Sequence, residues 1–199
     1  MKKVILLSLS LLVFSACTAT SGTSSAMSQK DIEMSSLKNA LNTYTNATIH
    51  GEVNTLLSFV YPKVFTLISK ERMKRILTKI YASKKAPTIT DISYQKISSI
   101  MPYDAGLYAI IDSKMTTELI SPVLDNDKFE QLLFDKLKSQ MGTDAQVIHD
   151  KSKHIFTIKK KSQIIGIKEG SDGWKFVGYE QAKKYESKRV IPESIMRNL

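Results

Sequence analysis

The chain has 199 residues, 42% apolar and 24% charged, with a formal net charge of +10 and a single cysteine. That length and apolar content suffice for one hydrophobic core and exclude a low-complexity or collagen-like polymer. One cysteine excludes an intrachain disulfide framework and a cysteine metal cluster.

Lys2 and Lys3 open the chain, Val4 to Phe14 is apolar apart from Ser8 and Ser10, and Ser15-Ala16 precede Cys17. A basic start, a short apolar run and small residues at the cut are the layout of a secretory signal, and the run is too short to span a bilayer. No second long apolar run follows it. Val13-Phe14-Ser15-Ala16-Cys17 resembles the lipobox of bacterial lipoproteins, with Phe14 where Leu is usual. The resemblance implies a cleaved signal over residues 1–16, Cys17 as the lipid-attachment residue, and a membrane anchor of palmitate-type chains in the cell envelope. One acyl chain holds a protein only marginally, whereas two make release rare. Thr18, rather than Asp, follows the cysteine. By analogy with Gram-negative lipoproteins, this favours the periplasmic side of the outer membrane over the inner membrane.

Residues 17–30 read as the lipidated cysteine and a flexible tether, because Ser, Thr, Ala and Gly cannot bury enough apolar surface to order themselves. A single α+β domain is expected over residues 31–182, followed by a basic C-terminal extension over 183–199. The spacing of Met34, Leu37, Leu41, Tyr44 and Thr48 predicts a first helix from Asp31 to Ile49, ended by Gly51. Val53, Leu56, Leu57 and Val60 predict a second, Glu52 to Val60, which Pro62 stops. Val64 to Ile68 reads as extended. Ser69 offers an N-cap to a third helix with Met73, Ile76, Leu77, Ile80 and Tyr81 as its buried stripe. Its other face carries Lys70, Arg72, Lys74, Lys79 and Lys84.

From Thr88 the period becomes alternating. Thr88 to Ile100 and Leu107 to Ile120 read as strands, the second with Leu107, Ala109, Ile111, Met115 and Leu119 on one face. One wet and one packed face implies an antiparallel sheet. Asp127 and Glu130 have capping-box spacing and open a helix that Gly142 ends. Strands near 145–149, 154–160, 163–169 and 174–179 follow, with turns at 150–153, 161–162 and 170–173. His149 and His154 bracket the first of these turns. Two histidines lack a third metal ligand, so they read as solvent-exposed hairpin residues.

The stretch Thr43 to Val53, which contains His50-Gly51-Glu52, and the stretch Tyr61-Pro62-Lys63-Val64-Phe65 resemble the opening of the ketosteroid-isomerase-like, nuclear-transport-factor-like (SnoaL-like) superfamily. Gly170-Ser171-Asp172-Gly173-Trp174-Lys175-Phe176-Val177 is similar to that family's final hairpin. The resemblance implies helices packed in a strongly curved, cone-shaped (cystatin-like) sheet around an apolar pocket with Tyr44, Phe65, Trp174 and Phe176 as its candidate lining, although Trp174 and Phe176, on one strand face, read most simply as core. It also implies Tyr44 as oxyanion donor in an isomerase or dehydratase, with carboxylates near Val64–Ile68 and Ile164–Ile167. Both stretches are apolar in this chain.

The expected function is therefore a non-catalytic envelope lipoprotein that binds a partner protein or a small apolar or anionic envelope molecule. An isomerase-type enzyme is the alternative. No nucleophile elbow, phosphate loop or cofactor motif is present in the sequence, so no cofactor is expected. Nucleic acid is not an expected partner of an exported chain. Removing Lys2 and Lys3 from the formal +10 leaves +8. That surplus suits anionic lipid or polymer, or serves solubility alone. Lys70, Arg72, Lys74, Lys183, Lys184 and Arg189 are the candidate basic surface. The oligomeric state is left open by the sequence.

Overall fold

A computed structural model describes residues 28–83, 86–121 and 126–197. The signal, Cys17, most of the tether and Lys84 lie outside the described residues. Six helices, two 3-10 turns and six strands make up the described chain.

Ser28 accepts a hydrogen bond from Asp31 N and so opens α1 (Gln29–His50). Gly51, at φ 69°, closes it. A Cβ at position 51 would stand 2.7 Å from the Tyr81 ring, so both the backbone angle and the packing require glycine. The second helix, α2 (Val53–Phe59), is short.

Residues 64–68, expected to be extended, instead continue into a 3-10 turn, Pro62–Thr66. Pro62 fixes the first helical φ, and Val64 N and Leu67 N bond back to Tyr61 O and Val64 O. Ser69 caps α3 (Lys70–Ala82) as its sequence suggests.

All strands join one antiparallel sheet: β1 (Thr88–Ile97), β2 (Met101–Tyr103), β3 (Gly106–Ile120), β4 (Ala145–Asp150), β5 (Ile155–Glu169) and β6 (Trp174–Gly178). The expected turn at Lys161–Ser162 does not form. β5 is one strand of 15 residues that pairs with β3 from Gly106↔Glu169 to Ile120↔Ile155. A partner strand of equal length carries the ladder through, and Ser113 and Ser162 meet at 2.9 Å in its middle. β1 and β2 extend the sheet beyond β3, while β4 and β6 extend it beyond β5. Pro102 falls on the short edge strand β2, where a missing N–H costs no inner ladder bond.

Alternation along β3 and β5 divides the core between the sheet's two faces. On one face, Leu37 and Leu41 of α1 pack on Ala109, Ile111, Trp174 and Phe176. Farther along the strands, α4 (Asp127–Met141) sets Leu137 against Phe156 and Ile158. The opposite face is covered by Tyr61 and by the C-terminal helices α5 (Tyr179–Lys184) and α6 (Glu193–Met196).

Here the expected boundary at 183 needs correction. Val190, Ile191 and Ile195 are buried against Tyr108, Ile165 and Ile167, so residues 183–197 complete the core instead of extending from it. The fold is α+β, a mixture of helices with an antiparallel sheet, as expected.

Candidate functional site

The pocket expected from Tyr44, Phe65, Trp174 and Phe176 is filled. Tyr44 lies 5.2 Å, ring to ring, from Phe176, and Phe59 stacks on Phe176 at 5.8 Å. Trp174 and Phe176 are buried beneath α1. Phe65, in the 3-10 turn, is half-buried and not part of that cluster. Burial pushes the Tyr44 hydroxyl up to about 12, helped by neighbouring Tyr94 and Tyr81 and opposed by Thr48. None of those neighbours is a carboxylate. Ile165 and Ile167, near where the resemblance puts an acid, are buried in the opposite core.

The nearest acid on that strand is Glu169. Tyr61 and Tyr103 both donate to its Oε1, at 2.8 and 2.6 Å. Burial raises its pKa, but the two tyrosine hydrogen bonds and the charge of Lys63 outweigh that and hold the carboxyl below its usual range. Both phenols are in turn pushed up, by burial first and then by Glu169. The arrangement clamps the end of β5 to the 3-10 turn and β2.

His149 and His154, expected in solvent, turn inward onto Glu130 of α4. Glu130 is 2% exposed. His154 Nδ1 lies 2.8 Å from Glu130 Oε1. His149 Nε2 lies 3.1 Å from Oε2, an ion-pair distance though off the hydrogen-bonding line. The His149 ring also stacks on Phe156 at 4.2 Å. Asp150 organises the hairpin turn by accepting from Ser152 N and Oγ, at 3.1 and 2.7 Å.

The hydrogen bond with His154 is the main reason the Glu130 pKa falls. Burial opposes it, and Ser121 and the histidine charges add to it. Sequence spacing assigns Glu130 to a capping box. Asn126 does the capping instead, accepting from Phe129 N at 3.0 Å, which frees Glu130 to face inward. Among the described residues no three His, Cys, Asp or Glu side chains are placed to hold a metal ion. The Glu130 group fastens α4 to the β4–β5 hairpin.

The candidate basic residues fall in two patches. Lys183 and Lys184 sit on α5, over the rings of Tyr179 and Tyr185 at 5.8 and 5.6 Å, and Arg189 ends the following 3-10 turn at φ 51°. Lys70, Arg72 and Lys74 lie on α3 with Arg75 and Lys79.

This third helix departs most from expectation. Met73, Leu77 and Tyr81 are half-buried toward α2 and the end of α1, where the Tyr81 hydroxyl donates to Thr48 O at 2.8 Å. Ile76 and Ile80, expected in the core, are 43% and 45% exposed. They stand one turn apart beside Arg72, Arg75 and Lys79, on the flank that no described element covers. A surface hollow of about 400 Å³ lies round the helix from them, on its polar side, lined by Glu71, Lys74, Arg75, Thr78 and Lys79. The result is an exposed helix face that is apolar along one edge and cationic along the other, with Glu71 as the acid of its first turn.

No family model, curated protein or solved structure matches this chain.

Proposed function

We propose that this chain is a non-catalytic, lipid-anchored envelope protein, and that its folded body works by laying α3 on an anionic membrane surface. The observation that carries the reading is the exposed Ile76–Ile80 edge bordered by Arg72, Arg75 and Lys79. An apolar edge that dips into the headgroup region, with cations to meet lipid phosphates, is the chemistry of an interfacial helix.

Geometry supports this choice of partner over a distant protein. α1 has 22 residues, so it is about 33 Å long at ~1.5 Å per residue. The tether joins one end of α1, and α3 is bonded to the other through Tyr81. Ten residues lie between Cys17 and Ser28, and the eleven steps across them reach up to about 40 Å when extended. Acyl chains on Cys17 therefore leave enough chain for the body to lie with α1 along the bilayer and α3 against it.

The filled interior around Tyr44 and the apolar Ile164–Ile167 stretch support binding over isomerase chemistry. We read the sheet as the cone of the ketosteroid-isomerase-like fold. The parallel bridge between Val60 and Phe176, which brings the end of the second helix beside the last strand, supports that reading.

Flotation with vesicles tests the proposal. An unacylated chain starting at Thr18 should float with phosphatidylglycerol vesicles at low salt but not with phosphatidylcholine vesicles. The R72E/R75E/K79E variant should remain at the bottom of the gradient. Equal flotation of variant and parent would remove α3 from the account. Carbonyl-isomerase turnover by the pure protein, abolished in Tyr44→Phe, would overturn the non-catalytic reading.

A further inference from the structure

A second cationic site lies on a different part of the molecule, in the middle of the sheet. β3 and β5 pair residue for residue, which sets Lys114 directly opposite Lys161. Lys159 follows two positions along the same strand face, and Gln146 of β4 pairs with it. These lysines share the sheet face that the C-terminal helices cover farther along, but they lie beyond that cover.

The end of the loop from α4 into β4 runs beside them, continuing the β4–β5 pairing one step past Ala145↔Lys160, where Lys161 N donates to Asp144 O at 3.0 Å. Together they line an open hollow of about 240 Å³, walled chiefly by Lys114, Lys159, Lys161, Thr143, Asp144 and Gln146.

Like charges directly opposite on paired strands destabilise a sheet. No ion pair of Lys114, Lys159 or Lys161 is found among the described residues. Asp112, opposite Gln163, is bonded to that amide at 2.8 Å. Asp144 is the acid at the cavity wall, one carboxylate against three ammonium groups.

We propose that this cavity binds a phosphate-class anion, such as a phosphomonoester or a pyrophosphate. Three lysines supply point charges, and the Thr143 hydroxyl and Gln146 amide supply neutral donors for the remaining oxygens. A dianion relieves the repulsion between Lys114 and Lys161, so occupancy strengthens the centre of the sheet. Asp144 disfavours an anion too bulky to keep clear of its carboxylate. The same chemistry is offered by free phosphates and by the phosphate of a lipid headgroup.

Thermal unfolding of the full chain in detergent, titrated with sodium pyrophosphate, reads the site directly. The melting temperature should rise saturably, and the rise should shrink with added NaCl. K114Q/K161Q should lower the apparent affinity at least tenfold, while R72Q/R75Q/K79Q leaves it unchanged. In the absence of ligand at low salt, K114Q/K161Q should melt no lower than the parent, because it removes a repulsive pair.

A second arm separates the sources. Loss of pyrophosphate binding in K114Q/K161Q with full flotation on phosphatidylglycerol vesicles supports a soluble phosphate. Weakened flotation of that variant supports a headgroup phosphate. Pyrophosphate binding and flotation both unaffected by K114Q/K161Q would overturn the proposal, whatever becomes of α3.

Discussion

At the scale of single residues, the Glu130 carboxylate is the feature with the clearest consequence. Its folded pKa lies below the ordinary 4.5. A carboxylate shifted down stabilises the fold above its unfolded pKa, and that contribution disappears as pH falls through the depressed folded value. Acid titration followed by circular dichroism should therefore show a stability loss below about pH 4.5 that Glu130→Gln reduces. An identical acid limb in the variant would mean the carboxylate is not held by its neighbours. Lys168 and Glu33 form a half-buried ion pair between β5 and α1, at 2.7 and 2.8 Å. Removing one partner should cost between the ~1 kcal/mol of an exposed pair and the ~3 kcal/mol of a fully buried one. Chemical denaturation of Lys168→Met measures it.

Neither pairing is legible in the sequence. Glu130 is 19 and 24 residues from its histidines, and its position near a helix start offers a sufficient local explanation. Asn126, one residue before the expected cap, is the signal that releases it.

At the scale of elements, local chemistry marks helix ends well, because caps are set by one or two residues. Gly51 and Ser69 fall where their side chains and backbone angles require. Gly142 likewise follows the last helical residue of α4. Burial is harder to read. The α3 stripe is amphipathic in sequence, yet periodicity gives no indication of whether a neighbour exists to cover both of its edges. α2, which contacts α3, is only seven residues long; Met73, Leu77 and Tyr81 are half-buried while Ile76 and Ile80 stay exposed.

The tail errs in the opposite direction. Val190, Ile191 and Ile195 follow a basic run; Pro192 and the Ile195-Met196 pair mark a short amphipathic helix, but four helical residues are too few to show that it packs on the sheet, so its burial is decided by tertiary packing. Two variants separate these cases. Ile195→Ala, at a fully buried site, should cost about 2–5 kcal/mol. The I76S/I80S pair should leave stability within about 0.5 kcal/mol per site while abolishing vesicle flotation. A large loss of stability in I76S/I80S would show that the edge serves the core.

At the scale of the whole molecule, the long β3–β5 ladder is the axis on which everything is placed. α1 and α4 follow one another along one face, the C-terminal helices take part of the other, and the three lysines occupy what is left. Polar Lys161 and Ser162 read as a turn in sequence because an uncovered stretch in mid-strand has the composition of a loop. The stretch facing them across the ladder, Ser113-Lys114-Met115, has the same mixed character.

Anchoring and docking are separable at this scale. Cys17→Ala should move the protein from the membrane to the soluble fraction at high salt, where α3 is screened. At low salt part of it should remain bound through α3. Complete retention at high salt would show that Cys17 is not what holds the chain.

The most direct measurement uses the fact that Cys17 is the chain's single cysteine. Once it is acylated, a thiol introduced as Ile80→Cys is unique and takes an environment-sensitive dye. On phosphatidylglycerol vesicles the dye should shift to the blue, and raising salt should reverse the shift. An emission spectrum that stays that of water on those vesicles would contradict the membrane-facing role of α3.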